Sequence, residues 1–189
     1  MSGQRYDWEA RFAAGDWAHL GSLAEAPRFA LIAGFVHRIA GRGAVLDAGC
    51  GEGHLYQYLD SSRIVYYGFD LSATAIANAH RLYPGGRFGV STIEAFEPPL
   101  GGRYDVIVFN ESLQYIRAPF ETVDRYSATL NPSGLTIIST FQNPSEDSSA
   151  RILSRKIDAA IEVGRYRVVT SAEVTNGENG LRWRVTALR

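Results

Sequence analysis

The sequence predicts an α/β fold in which a mostly parallel β-sheet carries helices on both faces and ends in an antiparallel hairpin. Short apolar runs rich in β-branched and aromatic residues alternate with segments of helical periodicity, the pattern of consecutive βαβ units. The first apolar run ends in three glycines at alternate positions, Gly49, Gly51 and Gly53, before a helical segment. Near the C-terminus, two strand-like segments flank a turn sequence at residues 176–180 and predict the hairpin.

Length and composition set the class of protein. A chain of 189 residues suits one domain with a full core. The net charge of −1 gives no basic surface for nucleic acid. No run approaches the roughly 18 apolar residues of a membrane helix, and residues 1–8 lack the apolar core of a signal peptide. The single cysteine, Cys50, excludes a disulfide framework and a cysteine-rich metal site. We expect a cytoplasmic monomer or homodimer with no membrane partner and no metal.

The elements follow in chain order. Residues 5–20 are polar and aromatic and predict a short helix and a turn outside the main fold. A helix over 27–40 follows, because Pro27 suits a first turn and apolar residues recur at helical spacing. The predicted strands are 44–48, 64–69, 87–91, 104–110, 135–141, 165–175 and 181–188. The predicted helices between them are 54–59, 73–83 with Ser72 as N-cap, 119–130, and a last one around Leu153–Ile161, with a turn at 131–134.

The glycine turn after the first strand predicts a ligand site. Glycine tolerates positive φ, so the turn can wrap closely around a ligand and direct its N–H groups towards it. A dinucleotide-binding turn requires Gly-x-Gly-x-x-Gly, but here His54 stands at the sixth position. Asp47 at the strand end would repel a pyrophosphate and suits a ligand with a positive amino group. Cys50 is a small residue that fills the tight turn.

The stretch Val45–Gly53 resembles the first motif of the class I S-adenosylmethionine-dependent methyltransferases, hydrophobic-hydrophobic-Asp-x-Gly-x-Gly-x-Gly. The resemblance covers roughly residues 45–189 and implies a Rossmann-like, seven-stranded sheet with S-adenosyl-L-methionine as cofactor. It also implies two parts of the chain. Residues 1–24 form a lid, with Tyr6 and Trp17 as its aromatic covers, and residues 25–189 form the cofactor-binding methyltransferase domain.

Residues at the strand ends are the expected cofactor ligands. Asp47, the three glycines and Cys50 hold the amino-acid end of the cofactor. Asp70 ends the second strand, and its two carboxylate oxygens can accept both ribose hydroxyls, with Leu71 beside it.

The third and fourth strands are expected to complete the cofactor site. Thr92 and Ile93 stand where the family often has an aspartate and an apolar residue at the adenine. Ile93 can pack on the ring, whereas Thr92 offers only a hydroxyl. Asn110 and Glu111 end the fourth strand, which should meet the first at the switch point of the sheet.

Three residues are candidates for catalysis. Glu111 follows the strand that should end beside the reacting methyl, so it is the first candidate for a base; the alternative is that it only orients backbone or meets solvent. Tyr115 lies four residues on and reaches the same site if the segment is helical. His54 follows the glycine turn and is the next candidate, and His19 in the lid segment is a weaker one.

The acceptor class follows from a second resemblance. The pattern Asn-Glu-x-Leu-x-Tyr at 110–115 and the Trp-Arg-Val ending at 183–185 resemble small methyltransferases related to the nodulation-factor N-methyltransferase and those that accompany polysaccharide synthesis. This implies a small polar acceptor, either a saccharide hydroxyl or an amine. Two alternatives stay open. A nicotinamide-dependent oxidoreductase conflicts with the glycine spacing, and a catalytically silent binding subunit conflicts with the intact motif.

Overall fold

A seven-stranded sheet forms the centre of the molecule. The computed structural model describes residues 7–97, 103–142, 145, 147–177 and 180–189. The strands are β1 (Gly43–Ala48), β2 (Ile64–Asp70), β3 (Phe88–Val90), β4 (Tyr104–Asn110), β5 (Leu130–Phe141), β6 (Val168–Thr175) and β7 (Arg182–Leu188). They lie in the order β3-β2-β1-β4-β5-β7-β6, with β1 to β5 parallel and β7 antiparallel to both of its neighbours. The predicted fold class is therefore confirmed.

Helices cover both faces of this sheet. The helices of the described residues are α1 (Trp8–Ala14), α2 (Ala26–Ala40), α3 (Ala73–Leu82), α4 (Pro119–Ser127) and α5 (Ser149–Glu162). Helices α2 and α3 pack on one face with Val106 and Val108 of β4. Helices α4 and α5 pack on the other face with Ile107 and Phe109 of the same strand. Both faces of β4 are buried, which explains its continuous apolar sequence.

The strand order places a crevice at the carboxyl ends of β1 and β4. Strand β1 lies between β2 and β4, and Asp47 pairs in register with Gly68 on one side and Val108 on the other. The chain order of strands reverses at this point, which is where ligands bind in open α/β sheets. The predicted N-cap of α3 is also present, because Ser72 Oγ accepts from the Ala75 amide at 3.1 Å.

Several predicted boundaries are wrong. The helix predicted over 119–130 ends at Ser127, and residues 131–134, predicted as a turn, lie within β5. Leu130 pairs with Tyr104 and Leu135 pairs with Val106, so the intervening residues bulge out of the ladder. The bulge is anchored by Asp105, whose Oδ1 accepts from the Asn131 side-chain amide at 2.8 Å. A polar contact from another strand thus overrides the local turn signal.

Two further elements are shorter than predicted. The short helix predicted over 54–59 is a 3₁₀ helix, His54–Tyr58, and Gly53 before it has a left-handed backbone. Strand β6 begins at Val168 rather than at 165. None of the described helices is long and apolar enough to cross a membrane.

Candidate active site

A cavity of about 520 Å³ lies at the carboxyl ends of β1, β2 and β4, with α1 on its other side. Most of the predicted site residues form its wall: Gly49, Cys50, Gly51, His54, Asp70, Leu71, Thr92, Ile93, Asn110, Glu111 and Tyr115, together with Trp17 and His19 of the N-terminal segment. The wall does not include Asp47 or Gly53. The predicted lid residue Tyr6 lies outside the described residues.

The glycine turn is shaped by backbone conformation. Gly49, Gly51 and Gly53 have φ values of 79°, 55° and 77°. A Cβ on Gly49 would lie 2.7 Å from Ser112 Cβ, closer than such atoms approach one another. The turn therefore needs glycine both for its left-handed residues and for its close approach to the segment after β4.

Three N–H groups of the turn are bonded within the protein, which differs from the expectation that they point at a ligand. The amides of Gly49 and Cys50 both donate to the Phe69 carbonyl at 2.9 Å, and that of Gly51 donates to Asp70 Oδ2 at 3.0 Å. The strand β2 next to the turn supplies these acceptors. An anion such as a pyrophosphate therefore finds these donors already engaged, which counts against a nicotinamide dinucleotide.

Asp47 lies beneath the turn instead of beside a ligand. Its side chain is 2% exposed, and its Oδ2 accepts from the Tyr66 hydroxyl at 2.8 Å. Burial raises the pKa of Asp47 to about 7, while the bond from Tyr66 opposes that shift. No partner for its Oδ1 is found among the described residues. The prediction that Asp47 meets the amino-acid end of a ligand directly is not supported by this position.

Asp70 lies at the cavity wall, and backbone N–H groups hold both of its carboxylate oxygens in place. Oδ1 accepts from the Ser72 amide and Oδ2 from the Gly51 amide, each at 3.0 Å. Burial raises the pKa of Asp70, and these backbone bonds oppose the shift. A carboxylate oxygen can accept a second hydrogen bond, so each oxygen retains capacity for a hydroxyl.

Thr92 and Ile93, in the segment that follows β3, present different groups to the cavity. Thr92 Oγ1 accepts from the Ala95 amide at 3.1 Å and so caps the local turn. The Ile93 carbonyl accepts from the side chains of Arg125 and Tyr126, which point it away from the cavity. The apolar side chain of Ile93 remains available at the wall, beside the glycine turn.

Arg28 of α2 is a wall residue that the sequence analysis missed. It is 3% exposed, its Nη2 donates to Glu25 Oε2 at 2.8 Å and its Nη1 donates to Asn110 Oδ1 at 3.2 Å. Its Nε is buried without a partner among the described residues. The periodicity of α2 indicated only a core helix. An arginine in its first turn near the switch point is the signal that could have identified it.

Glu111 has an unusual backbone for its residue type. It is the only non-glycine residue with positive φ, 57°, in the described chain. Its Oε1 accepts from Ser139 Oγ at 2.9 Å and its Oε2 accepts from Gln114 Nε2 at 3.2 Å. Burial raises the pKa of Glu111, and the charge of Arg28 opposes the shift. Strain of this kind, held by neighbouring contacts, is typical of functional sites.

The other catalytic candidates occupy different positions in the cavity. Tyr115 is 42% exposed and meets Trp8 edge-on, with ring centroids 4.7 Å apart. His54 is buried, with Nδ1 3.1 Å from the Tyr83 hydroxyl and Nε2 3.5 Å from Glu52 Oε2. Burial lowers the pKa of His54, and the nearby charge of Glu52 opposes the shift. His19 Nδ1 lies 3.0 Å from the Asp16 carbonyl.

Helix α1 spans the mouth of the cavity and touches both of its sides. Phe12 is buried against Gly51, and Trp8 stacks on Trp17 at 5.7 Å between centroids. On the side of Asp70, Glu9 Oε2 accepts from Ser72 Oγ at 2.7 Å, and Oε1 accepts from the Thr74 amide at 3.1 Å. These bonds hold α1 to the first turn of α3.

Two O-methyltransferases are similar in sequence to part of this chain. It is 33% identical over 112 residues to a ubiquinone biosynthesis O-methyltransferase of Nitrosospira multiformis. It is 35% identical over 105 residues to a malonyl-[acyl-carrier protein] O-methyltransferase of Halalkalibacterium halodurans. The matches cover 57% and 52% of this chain but only 46% and 39% of the two relatives, so less than half of each relative is matched.

Solved structures share the fold over nearly the whole chain. The N-methyltransferase NodS of Bradyrhizobium japonicum WM9, in complex with S-adenosyl-L-homocysteine, has a TM-score of 0.75 at 17% identity and covers 96% of this chain and 95% of its own. The 1,6-didemethyltoxoflavin-N1-methyltransferase of Burkholderia thailandensis, also solved with S-adenosylhomocysteine, has a TM-score of 0.72 at 22% identity, over 95% of this chain and 84% of its own.

The family follows from the extent of the match. The model of the methyltransferase domain family matches residues 24–180. S-adenosylmethionine, predicted from the glycine turn, is the cofactor of this methyltransferase fold, as the bound S-adenosylhomocysteine of the solved relatives indicates. The family predicted from the sequence is therefore confirmed, and the chain belongs to the methyltransferase domain family.

Proposed function

We propose that this protein transfers a methyl group from S-adenosylmethionine to a small polar acceptor, and that the reacting group is a saccharide hydroxyl. The observation that carries the proposal is the composition of one cavity. Asp70 and Arg28, which suit the ribose and the carboxylate of the donor, line the same space as the strained Glu111. Donor and acceptor groups therefore have a place beside each other.

The residues present fit the donor. The Asp70 oxygens can accept the ribose hydroxyls, and Ile93 offers an apolar surface to the adenine. Arg28 is a buried cation with one unpaired N–H, and such a group is stabilised by a carboxylate. In this proposal the amino-acid end lies between Arg28 and the glycine turn, and Cys50, Leu71 and Asn110 complete the wall.

The chemistry of the acceptor side rests on Glu111. When bound, S-adenosylmethionine supplies a methyl group on a positively charged sulfur. Glu111 would accept the proton of the acceptor hydroxyl as the oxygen takes up the methyl group, and the cofactor would leave as S-adenosylhomocysteine. The raised pKa of Glu111 makes it a stronger base than an exposed glutamate. Tyr115 and His54 border this space and position the acceptor.

The wall of the acceptor side supports a saccharide. It presents aromatic surfaces from Trp8, Trp17, Tyr115 and Trp183. Trp17 Nε1 and Gln114 Oε1 are buried and have no hydrogen-bond partner among the described residues. A pocket with apolar walls and a few directed polar groups recognises a small ligand that has both apolar and polar parts. A sugar ring has apolar C–H faces and hydroxyl edges, so it matches this wall.

The N-terminal segment is proposed to act as a lid. In this arrangement residues 1–24 cover the cofactor and acceptor, and residues 25–189 form the methyltransferase domain. The support is the position of α1, which contacts both sides of the cavity through Trp8 and Glu9. Closure of such a segment excludes water from the transfer site.

An acceptor screen tests the proposed function. The full chain is incubated with S-adenosylmethionine carrying a labelled methyl group and with separate panels of monosaccharides, amino sugars and other small alcohols and amines. Mass spectrometry then detects the labelled product. We expect the labelled methyl group to appear in a hydroxylated sugar, and we expect no labelled product when the sugar is omitted. Labelled carboxylate esters or labelled protein instead of sugars would contradict the proposed acceptor, and failure to bind S-adenosylhomocysteine would favour the silent subunit.

A further inference from the structure

Gln114 lies next to the proposed base and shares a hydrogen bond with it. Its Nε2 donates to Glu111 Oε2 at 3.2 Å, while Ser139 Oγ donates to the other carboxylate oxygen at 2.9 Å. Both Gln114 and Glu111 line the cavity. The backbone N–H of Phe141 also bonds this carboxylate. These neutral donors fix the plane of the carboxylate and leave it one further site for accepting a hydrogen bond.

The Glu111 carboxylate also fixes the orientation of the Gln114 amide. An ionised carboxylate only accepts hydrogen bonds, so the NH₂ group must face it and the amide oxygen must face away. That oxygen, Oε1, is buried and has no partner among the described residues. A buried acceptor without a donor is costly, and a bound ligand that donates to it removes this cost.

The two acceptor atoms are close enough for one small molecule. The nitrogen and oxygen of an amide are about 2.2 Å apart from standard bond lengths. With Nε2 held 3.2 Å from Glu111 Oε2, the free amide oxygen lies no more than about 5.4 Å from that carboxylate oxygen. Two neighbouring hydroxyl groups on one ring can donate to both with hydrogen bonds of ordinary length.

The charges around this pair favour a neutral acceptor. Arg28 is the single arginine or lysine among the described residues of the wall, and Glu25 and Asn110 already hold its two terminal nitrogens. Glu94 and Glu111 add negative charge to the wall. A carboxylate acceptor next to Glu111 would meet like charge with no free cation to balance it.

We propose that Gln114 is a specificity-determining residue of the acceptor site: it and Glu111 together receive two adjacent hydrogen-bond donors of one neutral acceptor, a vicinal diol or amino alcohol. The inference rests on the proposed function and deepens it, because it states which acceptors the site distinguishes. The donor nearer Glu111 is the group that is methylated. The neighbouring donor bonds Gln114 Oε1 and fixes the position of the ring.

Binding of three matched probes tests this assignment. The probes are cis-cyclohexane-1,2-diol, cyclohexanol and cyclohexanecarboxylate, which share one ring and differ in their polar groups. Dissociation constants are measured by NMR titration of the full chain saturated with S-adenosylhomocysteine. We expect the diol to bind about two- to tenfold more tightly than cyclohexanol, the range for one added neutral hydrogen bond, and the carboxylate to bind most weakly.

Variants connect the preference to Gln114. Gln114→Met keeps the length of the side chain and removes its amide, so it should abolish the preference for the diol and leave cyclohexanol binding within about twofold. Gln57→Met, at an exposed glutamine outside the cavity wall, should bind all three probes as the wild type does. Equal binding of diol and cyclohexanol, no binding of the diol, or an unchanged preference in Gln114→Met would overturn the assignment.

A calorimetric titration with S-adenosylhomocysteine, combined with the probe titrations, separates this inference from the proposed function. If the wild type does not bind S-adenosylhomocysteine by calorimetry, the proposed function fails, and the role of Gln114, which rests on it, is overturned as well. If S-adenosylhomocysteine binds and the diol shows no preference, only the role of Gln114 is overturned. Thermal unfolding of both variants shows whether a change in binding reflects loss of the fold.

Discussion

The donor side and the acceptor side of the cavity are built in different ways. The donor side consists of a glycine turn and strand ends whose positions follow from the sheet, and its contacts are mainly backbone bonds such as those from Gly49 and Cys50 to the Phe69 carbonyl. The acceptor side is assembled from side chains of α1, the segment after β4, and β7, including Trp8, Gln114 and Trp183. Local sequence determines most of the donor side, although Arg28 reaches it from α2. Tertiary packing determines most of the acceptor side, although Glu111 lies there because it follows β4.

This difference predicts how each side responds to change. On the donor side, a substitution disturbs a conformation that many backbone bonds share, so binding and folding should change together. On the acceptor side, a substitution removes one side-chain contact and should change turnover or selectivity while donor affinity is preserved.

Replacing the proposed base should give the largest effect. Glu111→Gln keeps the shape of the side chain and removes its ability to take a proton. Turnover on a hydroxyl acceptor should fall by about 10²–10⁴-fold with unchanged affinity for S-adenosylhomocysteine. A neutral amine attacks through its own lone pair, so a small loss would indicate an amine acceptor. Glu162→Gln, at an exposed residue of α5, serves as the control. Full activity of Glu111→Gln on a hydroxyl acceptor would show that Glu111 is not the base, and His54 or His19 would be the next candidate.

The buried arginine tests the donor side. Arg28→Met removes the cation that faces the donor carboxylate and leaves Glu25 buried without its partner. The loss of a charge-assisted hydrogen bond, about 1.5–3 kcal/mol, should weaken S-adenosylhomocysteine binding by about 10- to 150-fold in calorimetry. Arg28→Lys keeps the positive charge but lacks the planar guanidinium group. Its affinity for S-adenosylhomocysteine should therefore lie between those of the wild type and of Arg28→Met. Arg38→Met, at an exposed arginine of the same helix, should bind normally. Normal binding by Arg28→Met would remove this residue from the donor site.

The buried aspartate under the glycine turn should make stability depend on pH. Burial raises the pKa of Asp47 to about 7, from an ordinary value of 3.8. Because the folded state holds this proton more tightly, the stability that the protonated form contributes is complete below about pH 4 and is lost as pH rises through about 7. Between pH 5 and pH 8 the wild type should therefore lose at least about 1 kcal/mol more unfolding free energy than Asp47→Asn does.

Urea unfolding at the two pH values measures this difference. Asp70 and Glu111 also have raised pKa values and act in the same direction, so only the comparison between wild type and variant isolates Asp47. Asp60→Asn, at an exposed residue, should keep the pH dependence of the wild type. An identical pH dependence in Asp47→Asn would contradict the assigned cause.

The smallest effect is expected at the contact that joins α1, the described helix of the proposed lid, to α3. Glu9→Gln weakens the bonds to Ser72 and Thr74 that hold α1 on α3. Hydrogen exchange of residues 8–14 should become faster, and binding of S-adenosylhomocysteine should restore less protection than in the wild type. The hydrogen bonds from Thr74 lower the pKa of Glu9, so this contact should persist through neutral pH and be lost only in acid. Asp16→Asn, whose partner Arg11 lies inside the segment, is the control. Equal exchange in Glu9→Gln would argue against this contact as the anchor.

The sequence predicted the parts of the molecule that local rules control. The succession of strands and helices along the chain, the N-cap at Ser72 and the left-handed glycines follow from periodicity and residue conformation. The role of residues 131–134 could not be predicted, because Asp105 on a different strand holds Asn131 within the sheet. The burial of Asp47 beneath the turn could not be predicted for the same reason, because its partner Tyr66 lies on the neighbouring strand.

The predicted site shows the same division. Asp70 and Glu111 were found because they end strands, and the ends of parallel strands meet at one edge of a sheet. Arg28 was not found, because a helical pattern does not show which of its residues approaches Asn110 across the fold. Gln114 was not predicted either, because its proposed role depends on how the hydrogen bond to Glu111 orients its amide.

Calorimetric titration of S-adenosylhomocysteine tests the central claim, that the strand-end cavity binds the donor through Asp70. The wild type should bind S-adenosylhomocysteine, and Asp70→Asn should bind it at least about tenfold more weakly, because a charged acceptor of the ribose hydroxyls is lost. Asp60→Asn should bind as the wild type does. Absence of binding by the wild type, equal affinity in Asp70→Asn, or tighter binding of a nicotinamide dinucleotide would contradict the account.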